Sequence, residues 1–359
     1  MICRRDEAVS AWAAAIEELA PVTRLDVGRP ADVVEMGRRM RAATLVHLNL
    51  SYPAGKYPLA VGAMARNLRR PMIVTHHLGL KVGPPWRQFM RWLGRAARRH
   101  IAVSSHTRRV LVTDYAYPAD NVRIVHNGID PKLFQPSSAD ARRRMRHAAG
   151  DMLEGRPWGD DVFLACTVAR LSSQKGLFEL VDAAATVIEQ TPNARFVVLG
   201  EGDKRRELSD HIRQRGLEQR FFLPGALPRP LVAEWLGAGD LFALPSRYEG
   251  GPATALMEAM ASGCAVVATD VSGVDELITD PSLGLLVPPR DPGALASSIL
   301  QLLSNAGLRV EMAQRARAKV LSEFTIDACM RRTDVILDEA VEGGRGGWPR
   351  RRTALLRGR

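Results

Sequence analysis

The feature that most constrains the fold of this chain is a regular alternation of short apolar runs with helical stretches. From about Val162 onward the runs are VFLACTV, FVVLG, FFLPG, LFALPS, AVVAT and GLLVP. The first half repeats the pattern more loosely, with VTRLDV, LVHLNL, MIVTHH, IAVSS and VRIVHNG. Apolar strands separated by helices predict right-handed crossovers and parallel sheets covered by helices on both faces. The sequence therefore predicts the α/β class, with two Rossmann-like domains.

The two domains are expected to join in the polar, arginine-rich stretch between about Phe134 and Asp160, where the strand pattern stops. We assign residues 1–150 to an N-terminal domain and 151–325 to a C-terminal domain. Residues 326–341 are assigned to a C-terminal helix and 342–359 to a basic disordered tail. In an open parallel sheet a ligand lies beyond the carboxyl ends of the strands, so residues that follow each apolar run are the first candidates for a site.

Composition restricts the possible partners. The net charge of +11 would suit a polyanion, but six arginines fall in the stretch after Glu342, so we expect no specific nucleic-acid partner. The cysteines, Cys3, Cys166, Cys264 and Cys329, show neither a zinc spacing nor a disulfide framework. No apolar run approaches the roughly 20 residues of a membrane-spanning helix. A cytoplasmic protein is expected, with any membrane contact peripheral and on the inner face.

Two cations follow the first strand of the second half, in Ala169-Arg170-Leu171-Ser172-Ser173-Gln174-Lys175-Gly176. Arginine offers a planar fork of donors and lysine a point charge, a pair suited to a diphosphate leaving group. Taken alone, such a pair is better explained as solvated surface charge, and the segments that follow it in the sequence change that interpretation. The next strand is followed by Gly200-Glu201-Gly202, where missing side chains let the backbone approach a ligand or simply make a tight turn. The full GxGxxG fingerprint is absent, which argues against a nicotinamide or flavin cofactor.

The most informative segment follows LFALPS and begins with Arg247-Tyr248-Glu249-Gly250-Gly251-Pro252. Pro252 suits a first helical turn, and the helix is expected to end near Gly263. Its amino end, at Ala253 and Thr254, would direct free N–H groups at a phosphate. Glu258 interrupts an otherwise small and apolar helix, so we interpret it as an acceptor of ribose hydroxyls, the alternative being an exposed helix residue. Glu249 on the loop could face a sugar.

Two histidines follow MIVT in the first half. His76 and His77 are expected at the end of a strand, near the cleft, with a buried core histidine as the alternative for each. The segment WRQFMRWLGRAARRH has an apolar helical face (Trp86, Phe89, Met90, Leu93, Ala97) and a basic one (Arg87, Arg91, Arg95, Arg98). Such a helix either contacts an anionic membrane surface or covers the first sheet with its arginines solvated.

These segments together resemble the family-4 (group 1) retaining glycosyltransferases, which have the GT-B fold of two Rossmann-like domains facing across a cleft. The family hallmark is a glutamate, seven residues, and a second glutamate that opens EAMA.G.PVVAT, and Ser246 to Thr269 is similar to it. Arg170 to Gly176 resembles the family's diphosphate clamp. Further matches are Asn127-Gly128-Ile129-Asp130, Ser272-Gly273-Val274-Asp275-Glu276 and Gly284-Leu285-Leu286-Val287-Pro288.

The resemblance implies a function and a set of site residues. Arg170 and Lys175 would bind the donor diphosphate, Glu258 the ribose and Glu249 the transferred sugar, with His77, matched by Val74-Thr75, close to that sugar. The N-terminal domain would hold the acceptor and the C-terminal domain the nucleotide sugar. A hexose would pass from a nucleotide-diphosphate sugar to a glycan or lipid-linked acceptor, with retention, no required metal and no cofactor. The residues alone also show no Asp-x-Asp or histidine cluster suited to a cation.

One departure from the family pattern is that eight residues, not seven, separate Glu249 from Glu258. A one-residue bulge at the glycine pair could absorb the insertion, since glycine tolerates unusual dihedrals. This spacing keeps open a degenerate GT-B protein that binds nucleotide sugar or a partner without turnover. A GT-B sugar-nucleotide epimerase is the other alternative, although it would lack the EAMA hallmark.

The N-terminus also departs from the pattern. Family members open with a strand, a Gly-Gly loop and a long helix, whereas Met1-Ile2-Cys3 followed by charged residues is typical of a second strand and its helix. We therefore expect an upstream segment of about 30 to 50 residues, the size of one strand, loop and helix.

Overall fold

The structure is a computed structural model that describes residues 2–4, 23–52, 55–251 and 253–342, and every predicted apolar run contains a strand. The strands are β1 Ile2–Arg4, β2 Thr23–Leu25, β3 Val46–Leu50, β4 Met72–His76, β5 Arg99–Ala102, β6 Val122–Ile124, β7 Phe163–Val168, β8 Ala194–Leu199, β9 Phe221–Gly225, β10 Leu241–Leu244, β11 Ala265–Thr269 and β12 Leu285–Val287.

The helices alternate with the strands as the sequence predicts. They are α1 Pro30–Ala42, α2 Lys56–Asn67, α3 Trp86–Ala96, α4 Ser105–Thr113, α5 Ala139–Glu154, α6 Leu177–Gln190, α7 Arg205–Gln214, α8 Arg229–Ala238, α9 Thr254–Ala261, α10 Pro292–Ser304, α11 Ala306–Glu323 and α12 Ile326–Glu342. The α/β class is confirmed. Residues 343–359, for which a disordered tail was expected, lie outside the described residues.

The second sheet is parallel throughout, in the order β12-β11-β10-β7-β8-β9. Read from β9, this is the 3-2-1-4-5-6 order of the doubly wound nucleotide-binding fold. Successive strand residues face opposite sides, so Leu164 and Cys166 pack in one core and Ala165 in the other. Because helices cover both faces, the strands are apolar along their whole length.

The first half contains a parallel sheet in the order β3-β4-β5-β6, and β1 pairs with β2 in a separate two-stranded sheet. Leu48, Val74 and Leu93 belong to its main core. The helix expected after Met1-Ile2-Cys3 falls on residues 5–22, which lie outside the described part, and the upstream segment stays a prediction.

The arginine-rich stretch expected at the domain join forms α5, and α5 packs against the second half. The buried Arg146 donates to the carbonyls of Ala238 and Val162 and to the carboxylate of Asp240, 2.6 Å away. At the C-terminus, α12 returns to the first sheet, where Ile336 and Ala340 share a core with Ile73, Ile101 and Val125. The two halves of the chain therefore contact each other through α5, which precedes the second sheet, and through α12, which follows it.

Helix α3 is the predicted basic amphipathic helix, and its apolar face is occupied. Phe89 and Leu93 are buried in the first core, and Trp92 packs against that core and stacks on Phe89. Arg87, Arg91 and Arg95 are exposed. Since the tryptophans pack against the domain itself, the arginines and not the aromatic rings are available to an external partner. Among the described residues, no helix is both long and apolar enough to cross a bilayer.

Candidate active site

The loops that follow β7, β8 and β10 meet at one edge of the second sheet, as their parallel order requires. They face the end of β4 across a cavity of about 680 Å³. The cavity brings together these predicted site residues: His77, Arg170, Lys175, Gly200, Glu249, Gly250, Gly251, Ala253, Thr254 and Glu258. Gly202 does not line it, and Pro252 lies outside the described residues.

The Arg170–Lys175 loop is fixed against the loop that carries Glu249. Gly176 has a left-handed φ of 62°, and a Cβ there would lie 1.9 Å from the Pro245 carbonyl oxygen, so only glycine allows this approach. The Arg247 amide donates to the Gln174 carbonyl at 2.8 Å, and the Gln174 side chain donates to the Tyr248 carbonyl at 3.0 Å. The two loops therefore form one rigid wall of the cavity.

Lys175 and Glu249, assigned from the resemblance to different parts of the donor, contact each other in the structure. Lys175 Nζ donates to Glu249 Oε1 at 2.5 Å, and the Ser246 hydroxyl donates to the same oxygen at 2.6 Å. The Glu249 side chain is only 8% exposed. Arg170, by contrast, is exposed and makes no ion pair with any described residue, so its guanidinium is available to an anion.

The two glycines after β8 let their backbone pack closely against the loop that carries Arg170. A Cβ on Gly200 would lie 1.9 Å from the Ala169 carbonyl oxygen, and one on Gly202 would lie 2.3 Å from that of Leu171. The Leu171 amide donates to the Glu201 carbonyl at 2.9 Å. Gly202 thus accommodates neighbouring backbone and does not line the cavity, as a tight turn would require, and its donor-binding role stays a prediction.

The amino end of α9 faces the cavity without a cap. Ala253, at the N-cap position, makes no side-chain capping bond, and Ala253, Thr254 and Ala255 all line the cavity. The free N–H groups of the first turn and the helix dipole make such an end an anion site. The helix ends at Ala261, before Gly263 with its left-handed φ of 81°, close to the predicted end.

Glu258 is buried on α9, which excludes the alternative of an exposed helix residue. Arg229 Nη2, at the start of α8, donates to Glu258 Oε1 at 2.7 Å, while the Arg229 side chain remains 62% exposed. Burial raises the pKa of the Glu258 carboxyl, and the Arg229 guanidinium opposes that rise. One carboxylate oxygen is thus held by Arg229, and Oε2 has no protein donor among the described residues.

Glu249 keeps its place on the cavity wall despite the longer spacing to Glu258. The glycine pair accommodates the loop by close approach, which differs from the expected reason, since neither Gly250 nor Gly251 has a left-handed φ. A Cβ on Gly250 would lie 2.4 Å from Leu78 Cδ2, and one on Gly273 would lie 2.3 Å from the Gly251 carbonyl carbon. The glycines therefore let the loop fit between the two domains.

The two histidines after MIVT have different surroundings. His77 lines the cavity, with Nε2 3.4 Å from Asn49 Oδ1, and burial lowers its pKa. His76 is a core residue, with Nε2 3.2 Å from His100 Nδ1. Burial lowers the pKa of His76 well below its usual value and that of His100 to about 4, so both rings are neutral at pH 7. The core alternative therefore holds for His76.

Several residues that hold the two domains together beside the cavity were not assigned a role in the sequence analysis. Glu276 accepts from the Ser105 amide at 2.9 Å and lies 2.8 Å from His126 Nε2. The Thr107 hydroxyl donates to the Gly250 carbonyl at 3.1 Å. Glu276 belongs to a matched motif, but its partners His126 and Ser105 are 150 and 171 positions away in the chain, and no local pattern could have identified them. Ser246 was detectable, since it lies two residues after the end of β10.

The Asn127-Gly128-Ile129-Asp130 motif also has a structural reason. Asn127 lines the cavity. A Cβ on Gly128 would lie 2.5 Å from the backbone of Thr325 and Ile326, and Ile129 exchanges backbone hydrogen bonds with Phe324 and Ile326 at 2.9 Å. The motif thus binds the segment before α12. No group of His, Cys, Asp and Glu side chains in the described part of the chain is arranged to hold a metal ion.

Comparisons with known proteins agree with this geometry. Residues 11–133 match the family described as Glycosyltransferase Family 4, and residues 154–319 match Glycosyl transferases group 1. An alpha-D-kanosaminyltransferase of Streptomyces kanamyceticus is 29% identical over 309 residues, which are 82% of this chain and 75% of that protein. The amylovoran biosynthesis glycosyltransferase AmsK of Erwinia amylovora is 31% identical over 62% of this chain, and the match spans about half (51%) of AmsK.

Among solved structures, Alr3699/HepE of Anabaena in complex with UDP superposes with a TM-score of 0.82 at 20% identity, over 94% of this chain and 92% of that one. At this identity the likeness concerns the fold, which confirms two Rossmann-like domains in the GT-B arrangement. Together, the fold, the assembled hallmark residues and the family matches show that the chain belongs to the group 1, or family 4, glycosyltransferases of the GT-B fold.

Proposed function

We propose that this protein transfers a hexose from a nucleotide-diphosphate sugar to a glycan or lipid-linked acceptor with retention of the anomeric configuration. The observation that carries the proposal is a single cavity that combines an anion site with two carboxylates. Arg170, Lys175 and the uncapped start of α9 form the anion site, and Glu249 and Glu258 are the carboxylates.

The cations and the helix end would stabilise the diphosphate as it leaves. Cleavage of the bond between the anomeric carbon and the phosphate oxygen increases the negative charge on the diphosphate. Preorganised hydrogen-bond donors therefore stabilise the transition state more than they stabilise the bound substrate. Arg170, Lys175 and the α9 amides would supply this stabilisation without a metal ion. The acceptor hydroxyl forms its new bond on the same face, and the departing phosphate oxygen takes the hydroxyl proton.

The carboxylates would position the donor at its two ends. Glu258 Oε2, which has no protein donor in the described structure, would accept a ribose hydroxyl while Arg229 holds the other oxygen. Glu249 would accept hydrogen bonds from hydroxyls of the transferred sugar when that sugar lies beside the Lys175–Glu249 pair. His77, neutral near pH 7 because burial lowers its pKa, would orient hydroxyls from the opposite domain.

The decisive experiment follows the product by NMR. The enzyme is incubated in EDTA with a nucleotide sugar that stabilises it thermally, and the anomeric signal of the first product is recorded. The proposal is supported if an axial anomeric linkage in the donor gives an axial anomeric linkage in the product and if EDTA leaves the reaction rate unchanged. Inverted configuration, or a rate that collapses in EDTA and returns with a divalent cation, contradicts it.

A binding protein without turnover is the second candidate. In this structure Lys175 and Glu249 bind each other, and a donor that leaves this pair intact would be held by Arg170 and α9 without reaching either side chain. Slow hydrolysis of radiolabelled donors separates the two. Release of labelled sugar that depends on the protein indicates an enzyme, whereas bound and intact donor indicates a binder.

A further inference from the structure

A second cavity, of about 570 Å³, adjoins the first. Four residues, Leu78, Arg170, Glu249 and Gly250, line both cavities. Glu258 and Thr254 line only the first, so the nucleotide end of a donor would lie away from the second cavity. The second cavity therefore opens at the place where the proposed function puts the transferred sugar.

The wall contributed by the first domain is preformed. The Tyr115 hydroxyl donates to the Leu80 carbonyl at 2.8 Å and accepts from the Val82 amide at 2.9 Å. His106 Nε2 lies 3.3 Å from the Gly79 carbonyl oxygen, and a Cβ on Gly79 would lie 2.8 Å from that ring. The loop from Leu78 to Val82 is thus held in one position, which lowers the ordering cost of binding.

The wall contributed by the second domain has groups without protein partners. Tyr248 is 58% exposed, and no described residue bonds to its hydroxyl. Asp270 is an exposed residue that lines the cavity, and its carboxylate has no hydrogen-bond or ion-pair partner among the described residues. By contrast, Arg247 beside them is occupied by Glu179, with Nε 2.8 Å from Oε1. The free groups are an aromatic face and a carboxylate.

This combination suits a polyhydroxylated ring. The apolar face of a sugar or cyclitol packs on an aromatic ring such as Tyr248, whose amphipathic character favours such surfaces. Asp270 can accept two or more hydrogen bonds from hydroxyls. A small number of polar groups that converge in a concave site is enough to orient a bound ligand. Leu78 and Leu80 complete the apolar part of the lining.

We propose that the second cavity is the acceptor subsite and that it binds a sugar or cyclitol ring through Tyr248 and Asp270. This inference rests on the proposed function, because it takes the first cavity as the donor site. A ring bound here would present a hydroxyl towards Arg170 and Glu249, from the side that the nucleotide does not occupy. The same chemistry serves a free saccharide and a lipid-linked one.

The test measures binding of defined probes to the full chain saturated with UDP or GDP. The probes are the methyl and octyl glycosides of glucose, mannose, galactose and N-acetylglucosamine, together with myo-inositol, observed by saturation-transfer NMR at millimolar concentration. At least one probe should bind the wild type, and Tyr248→Ala and Asp270→Asn should weaken it at least about tenfold. Tyr248→Phe, which keeps the ring, and Asp151→Asn, on the exposed face of α5, should bind as the wild type does.

Nucleotide binding by calorimetry is the second readout, and it separates the two proposals. If UDP and GDP both fail to bind, the proposed function fails first. If a nucleotide binds but no probe does, or if Tyr248→Ala and Asp270→Asn bind the probes normally, the acceptor subsite is overturned. Loss of nucleotide affinity in either variant also overturns it, since these residues would then belong to the donor site or the fold. Preference for octyl over methyl glycosides would indicate a lipid-linked source.

Discussion

Lys175 Nζ lies 2.5 Å from Glu249 Oε1, so the cation expected on the diphosphate and the carboxylate expected on the sugar are direct neighbours. The pair is largely withdrawn from water, with side-chain exposures of 19% and 8%. A donor that binds at both groups brings its phosphate charge to Lys175 and its hydroxyls to Glu249. Under the proposed function, the contact would hold side by side two groups that act on adjacent parts of one substrate.

Lys175→Met should reduce transfer by about 30- to 1,000-fold, because a charge-assisted contact to the leaving diphosphate is worth about 2 to 4 kcal/mol in a desolvated site. Methionine keeps most of the aliphatic stem. The check is kcat/KM for the donor, with circular dichroism to verify the fold. Arg213→Ala, which breaks only the exposed pair with Asp210, is the control and should change the rate by less than about twofold. Normal turnover by Lys175→Met would show that the diphosphate site lies elsewhere.

The Arg229–Glu258 pair predicts a pH dependence of donor binding. Burial raises the pKa of Glu258 and Arg229 opposes the rise, so Arg229→Ala should raise that pKa further. Because the ionised carboxylate is the better acceptor for ribose hydroxyls, donor affinity should fall as the pH drops through this pKa. In Arg229→Ala the fall should begin at a higher pH than in the wild type. Calorimetric titrations of the nucleotide between pH 5 and pH 8 measure this, and superimposable profiles would exclude the carboxylate contact.

Whether the sequence alone predicts a feature of this structure depends on how far apart in the chain the interacting residues lie. The strands and the start of α9 are encoded locally, by apolar runs, glycines and the cluster around Glu249 and Glu258. The pairing of Glu258 with Arg229, and of Glu276 with His126, joins residues on different elements and has no local signature. The reason for Gly202 was also beyond a local pattern, because the Leu171 carbonyl that excludes a side chain there is brought near only by the fold.

The buried His76 and His100 predict that the protein loses stability in acid. Their pKa values are lowered in the folded state, to about 4 for His100, whereas the unfolded rings titrate near 6.5. Below about pH 6.5 the unfolded chain binds protons that the folded one does not, so the free energy of unfolding falls as the pH drops towards 4. For His100 alone the loss at pH 5 is about 2 kcal/mol.

Urea unfolding at pH 7.5 and pH 5 checks this, with His100→Gln compared to His147→Gln at an exposed position. His100→Gln should lower stability at pH 7.5 but show a weaker dependence on pH, whereas His147→Gln should follow the wild type. Equal pH dependence in all three proteins would contradict the neutral histidine pair.

The exposed arginines of α3 predict electrostatic docking to anionic lipid. Its tryptophans pack against the first domain, so binding would depend on charge and should weaken steeply with salt. Arg87→Glu, Arg91→Glu and Arg95→Glu together should release the protein from vesicles that contain phosphatidylserine, as measured by co-sedimentation. The same reversal at Arg206, Arg213 and Arg215, on and just after α7, is the charge-matched control and should release much less. If neither salt nor the charge reversal on α3 changes vesicle binding, α3 serves only to cover the first sheet.

The central claim, that the larger cavity is a nucleotide-sugar donor site, is tested most directly by calorimetric titration of UDP and GDP, alone and as their hexose conjugates. The wild type should bind one of these nucleotides at a single site, and Glu258→Ala and Lys175→Met should each weaken that binding at least about tenfold, while Arg213→Ala leaves it unchanged. Absence of binding by every nucleotide, or equal affinity in the wild type, Glu258→Ala and Lys175→Met, would contradict the assignment.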